Sequence, residues 1–119
     1  MARVPTEIAR LITRAALSKK AKDVTVLDLR EHSEITDFFV ICSGDSEVQV
    51  RAIADSVLET LRERGSAEWH VEGYVHGRWV LIDYVEVVTH IFLEEAREYY
   101  GLEDLWGDAP SERVEDAGT

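Results

Sequence analysis

Three polar residues in "EWHVE" stand at alternate positions, so strand geometry would put Glu68, His70 and Glu72 on one face. Completed by Asp83 and Glu86 from the strands that follow, such a row could hold a divalent cation. Carboxylates on neighbouring strands are how metal-dependent transferases bind magnesium. A nucleotidyl or phosphoryl transferase using Glu68, Glu72 and Asp83 is therefore the alternative reading of the chain. The leading reading of the same residues is the solvated face of an edge strand, because ligands at close, fixed spacing are missing.

"SGDS" (43–46) has the look of a phosphate cradle at a helix N-terminus. It lacks both the Gly-x4-Gly-Lys-Ser/Thr and the Gly-x-Gly-x-x-Gly patterns, and Asp45 and Glu47 would repel a phosphate, so helix capping is favoured. Cys42 in "FFVIC" is the lone cysteine, which excludes an internal disulfide and predicts a buried, reduced thiol. No Gly-x-Ser-x-Gly elbow supplies a nucleophile. His32 and His76 fall in turn-like, exposed segments. His90 shares a strand face with Val88 and Phe92, and two readings are open for it: a satisfied, semi-buried histidine, or a recognition residue beside an apolar patch.

The elements that must position these groups follow from periodicity. Ile8, Leu11, Ile12, Ala15 and Ala16 mark an amphipathic helix over 6–20 with Thr6 as cap. "DVTVLDLR" alternates as a half-buried strand, and the continuous run "TDFFVIC" predicts a central strand covered on both faces. A second helix runs from a cap at Asp45 or Ser46 to Gly65. A strand over "AEWHVEGY" then makes a βαβ-like crossover, right-handed if its strands are parallel neighbours. "VHGRWVLIDY" and "EVVTHIF" predict antiparallel hairpin strands, with Trp79, Leu81 and Asp83 on one face and Val80, Ile82 and Tyr84 on the other. One short helix, or two broken near Gly101, ends the ordered chain. Residues 1–110 thus form one α/β domain with a mixed sheet of about five strands, and 111–119 form a disordered acidic tail.

The charge of −11 opposes general nucleic-acid binding, which needs clustered cations. Residues 1–22 nevertheless carry Arg3, Arg10, Arg14, Lys19, Lys20 and Lys22 against Glu7 alone. A solvated basic helix face is the favoured reading, with a minor rRNA contact as the other. No stretch approaches the ~20 apolar residues of a membrane span, so a cytoplasmic protein is expected. The aromatics are unevenly placed: Tyr99, Tyr100 and Trp106 crowd into "AREYYGLEDLWGDAP" (96–110) among carboxylates. They form either a last core layer or an exposed binding patch.

"ITDFFVICSGDSEVQVRAIADSVLETL", "VEG" and "WVLIDYVEVVTHIFLEEAREYYGLEDLWGDAP" resemble, in order and spacing, the ribosomal silencing factor family, also called Iojap. The chain departs where the family usually shows a small hydroxyl residue (Asp45), Gly-Asp (Val85 and Glu86) and a longer insert (75–78). The resemblance implies a nucleotidyltransferase-like fold without catalytic residues, and hence no enzyme, cofactor, metal or small-molecule substrate. It implies binding to the large ribosomal subunit through the fourteenth large-subunit ribosomal protein, on the intersubunit face. Joining of the small subunit would be blocked and translation repressed, with a role in large-subunit assembly and self-association as a homodimer as further implications. Contacts or close supports would be Trp79, Asp83, His90, Arg97, Tyr99, Tyr100, Leu102, Leu105 and Trp106.

Overall fold

A computed structural model describes residues 6–115. Thr6 caps the first helix, α1 (Glu7–Ser18), by accepting a hydrogen bond from the Ala9 amide at 3.1 Å, and the expected apolar stripe is its buried face. Ser46, rather than Asp45, caps α2 (Glu47–Glu63) by accepting from the Gln49 amide. Asp45 instead forms an ion pair with Lys22 at 2.7 Å. Gly65 follows the C-terminal cap of α2 with φ +82°, the left-handed geometry that favours glycine. Among the described residues no helix is long and apolar enough to cross a membrane.

The strands are β1 (Lys22–Asp28), β2 (Phe38–Gly44), β3 (His70–Glu72), β4 (Trp79–Asp83), β5 (Val87–Leu93) and β6 (Ser111–Arg113). They form one mixed sheet in the order β3-β4-β5-β2-β1-β6. Among the described residues only β2 and β5 pair in parallel, and both are central and almost wholly buried, as the unbroken apolar run of β2 predicts. The predicted hairpin pairing of β4 with β5 is present and antiparallel.

Three expectations are corrected. The strand over "AEWHVEGY" shrinks to three residues at the sheet edge, because the chain turns at Gly73, whose φ is +80°. Its crossover does not return beside β2: β4 and β5 lie between, so the parallel neighbour of β2 is β5. The tail expected to be disordered from residue 111 begins with a sixth strand, which pairs antiparallel with β1 through Leu27↔Ser111 and Thr25↔Arg113. Backbone hydrogen bonds secure it at both ends, from the Asp28 amide to the Pro110 carbonyl and from the Val114 amide to the Val24 carbonyl. Edge pairing needs no apolar side chains, so "SER" carries no strand signature. Arg3 of the basic cluster and residues 116–119 of the tail lie outside the described residues.

α1 and α2 pack side by side over one face of the sheet, where Val80, Ile82, Val40 and Cys42 are buried. Burial pushes the Cys42 thiol up to about 12, so it is inert at neutral pH. The opposite face carries the register rows Asp83–Val88–Phe39–Leu27 and Leu81–His90–Ile41–Thr25. It is covered only in part, by α3 (Glu94–Tyr100) and α4 (Leu102–Leu105), which Gly101 separates at φ +56°.

The β4–β5 connection holds a local conflict. The Glu86 amide donates to the Tyr84 carbonyl at 3.0 Å, closing a tight turn around Val85, a β-branched residue at φ +74°. Such a conformation costs about 1–3 kcal/mol, and glycine gives back about 0.5–1 kcal/mol of that relief as chain entropy. Val85→Gly is therefore expected to stabilise the domain by about 1 kcal/mol. Urea unfolding of the two proteins side by side checks this, and an equal or lower midpoint contradicts it.

Candidate docking face

Period two along β4 turns Trp79, Leu81 and Asp83 away from α1 and α2, and each is only partly covered. From there the half-open face is built outward by ring contacts. Trp79 meets Tyr100 at 4.9 Å and Phe92 at 4.8 Å between centroids, and Trp106 meets Phe39 edge-on at 5.9 Å. Tyr99 and Leu105 project from the short helices with 81% and 76% of their surface exposed, and Tyr100 is 49% exposed. Leu102 and Trp106 are half-buried against the core. Carboxylates surround the patch: Glu94, Glu95, Glu98 and Asp104 are exposed, and Glu103 is partly so.

His90 lies beneath this surface and not in it. It is 3% exposed, and the Trp79 indole Nε1–H donates to its Nδ1 at 3.0 Å. A ring nitrogen that accepts is unprotonated, so the neutral ring carries its proton on Nε2. Nε2 has no hydrogen-bond partner among the described residues, and the ring stands edge-on to Phe39 at 4.5 Å. Burial pushes the His90 pKa down to about 4. The ring is thus more deeply buried than the semi-buried reading has it and satisfied at Nδ1 alone, and it supports Trp79 from below.

Of the nine residues expected at the site, Trp79, Asp83, Tyr99, Tyr100, Leu102, Leu105 and Trp106 reach the surface at or beside this face, Leu102 only in part. Arg97 does not point outward. Its side chain is 13% exposed and forms a two-pronged ion pair with Glu103 at 2.7 and 3.0 Å. Two surface members, Leu81 and Phe39, are absent from the nine residues expected at the site. Leu81 was legible, standing between Trp79 and Asp83 at period two. Phe39 was hidden, because an unbroken apolar run does not reveal which residues face which side.

The transferase constellation is not assembled. Glu68 precedes β3 and turns to α2, where Arg62 donates from Nε at 3.1 Å and holds its carboxyl below the usual range. Glu72 is 2.7 Å from His70 Nε2, and Asp83 accepts from the Val85 amide at 2.7 Å. Glu86 sits exposed in the adjoining turn. The supposed row fails because regular strand geometry begins only at His70. Among the described residues no three His, Cys, Asp or Glu side chains gather as a metal site.

A mixed sheet sealed by two helices on one side and half-roofed by a short helical pair on the other defines a small single-domain α/β protein. The family model described as "Ribosomal silencing factor during starvation" matches residues 3–119. The ribosomal silencing factor of Halalkalibacterium halodurans is 46% identical over 109 residues, which is 92% of this chain and 93% of that protein. A mouse protein named "Mitochondrial assembly of ribosomal large subunit protein 1" is 32% identical over 91 residues, covering 74% of this chain and 40% of its own. A crystal structure from Chromobacterium violaceum superposes with a TM-score of 0.84 at 38% identity, covering 94% of each chain. The chain belongs to the ribosomal silencing factor family.

The buried histidine makes stability fall in acid. An unfolded histidine takes up its proton near pH 6.5, whereas folded His90 does so only near pH 4. The unfolded state thus binds more protons between these values, and the stabilisation held above pH 6.5 is lost as the pH falls through this window. By pH 4 the loss is about 3 kcal/mol. His90→Gln, which keeps an acceptor for the Trp79 N–H, is expected to remove that part of the acid dependence. Urea unfolding of both proteins from neutrality down to pH 4 measures the difference, and parallel curves contradict it.

Proposed function

We propose that the half-roofed face binds the large ribosomal subunit at its fourteenth large-subunit ribosomal protein, on the intersubunit face, and so blocks joining of the small subunit. The observation that carries this reading is the aromatic and apolar surface on α3, α4 and β4: Tyr99 and Leu105 lie almost bare, and half-bare Tyr100 packs against partly covered Trp79 on one side and Tyr99 on the other. An exposed apolar patch rimmed by charge marks an interaction surface. Its aromatic anchors supply buried area, and the surrounding carboxylates complement a basic partner, as many ribosomal proteins are. Family membership and the organellar relative named for large-subunit assembly support the ribosome as partner.

Trp79, Asp83, Tyr99, Tyr100, Leu102, Leu105 and Trp106 form the contact set, with His90 and Arg97 as supports beneath. Repression on this reading is steric. The protein needs no catalytic group, only a binding free energy that outweighs the gain from subunit joining; a nanomolar complex supplies about −12 kcal/mol. The site of action is the cytoplasm, where subunits join.

Purified subunits and sucrose-gradient sedimentation test the reading. Wild-type protein is expected to lower the joined-ribosome peak and to co-sediment with large subunits. Tyr100→Ala and Leu105→Ala remove exposed anchors and are expected to weaken large-subunit binding ~10-fold or more, with thermal midpoints close to wild type. Unchanged subunit joining at saturating wild-type protein rejects the proposal.

A further inference from the structure

We infer that Arg97 is a positioning residue that sets the geometry of the docking face without touching the partner, an inference that rests on the docking reading above. A guanidinium has five N–H donors in a fixed fork. In this fold all five are engaged. Nε donates to Glu103 Oε2 at 3.0 Å, and Nη2 donates to Glu103 Oε1 at 2.7 Å and to Thr25 Oγ1 at 3.3 Å. Nη1 donates to the Asp23 carbonyl at 2.8 Å and to Ser43 Oγ at 2.9 Å. With its side chain 13% exposed, Arg97 has no donor left for a ribosomal group.

The acceptors come from β1, β2 and α4, while Arg97 itself lies on α3. One side chain therefore ties both short helices to two strands. Helices of seven and four residues do not hold their shape in isolation, and here a left-handed glycine is the link between them. The bond to Glu103 spans that link and fixes the angle at which α4 leaves α3. This angle decides where Leu105 and Trp106 stand relative to Tyr100 and Trp79. The sheet is shaped to receive the clamp: the β1–β2 register shifts between Lys22 and Thr25, with Asp23 at φ +50°, and the irregular segment presents the Asp23 carbonyl to Nη1.

A cross-linking rescue separates positioning from contact. In the double variant Arg97→Cys, Glu103→Cys both charged groups are lost. Buried Cys42 does not compete for a thiol reagent, so a short bis-maleimide joins the two new thiols selectively. The uncross-linked variant is expected to bind large subunits ~10-fold or more weakly, with faster hydrogen exchange over 94–106 and an altered near-ultraviolet tryptophan signal. The cross-linked form is expected to recover slow exchange, the tryptophan signal and most of the affinity, although no guanidinium is present. Recovery of order without recovery of affinity makes Arg97 a direct contact and overturns the inference, as does wild-type affinity in the uncross-linked variant. Wild-type protein that fails to bind large subunits sinks the docking reading instead, while the exchange and tryptophan signals still judge the clamp.

Discussion

A six-stranded sheet has two faces to cover, and among the described residues only two helices are long enough to cover one of them. α1 and α2 seal the face of Val40, Cys42, Val80 and Ile82. The other face is left to eleven helical residues in two pieces, and these acquire a fixed position only by being tied down. Ala96, Leu102 and Trp106 pack against the core, and the polar part of the tie is the charge-assisted, two-pronged bond between Arg97 and Glu103, extended to the sheet through Thr25, Ser43 and Asp23. What the pair leaves uncovered on β4, and what it projects from its own surface, is the candidate docking face.

Beneath Trp79 the polar chemistry is kept neutral. His90 is buried in its uncharged form and accepts from Trp79, so the indole is oriented without a charge being desolvated. Apart from the Arg97–Glu103 pair, charge lies at the rim, where the carboxylates of Glu94, Glu95, Glu98 and Asp104 are exposed. An apolar centre with a charged border is the division of labour that binding surfaces use: the centre supplies affinity, and the border steers and selects.

Much of this architecture was legible in the sequence, and the parts that were not share a physical cause. Thr6, Ser46, Gly65 and Gly101 announce helix ends because capping and left-handed backbone depend on one residue's own chemistry. β2 is readable as a central strand because burial on both faces leaves an unbroken apolar run. β6 is invisible because an edge strand of Ser, Glu and Arg forms through backbone hydrogen bonds that leave no pattern. The same limit applies to the site. Trp79 and Asp83 follow from alternation along one strand, whereas the inward turn of Arg97 depends on acceptors as distant as Asp23 and Ser43. Six residues separate it from Glu103 across a helix break, outside the three- and four-residue spacing by which helical partners are recognised.

The proposed docking surface is the half-roofed face and not the helical one. Hydrogen exchange of the protein, free and bound to purified large subunits, tests it most directly. Slowed exchange over 79–83 and 97–106 is expected on binding, with α1 and the outer face of α2 unchanged. Protection confined to α1 and α2, with 97–106 exchanging as in the free protein, would contradict it.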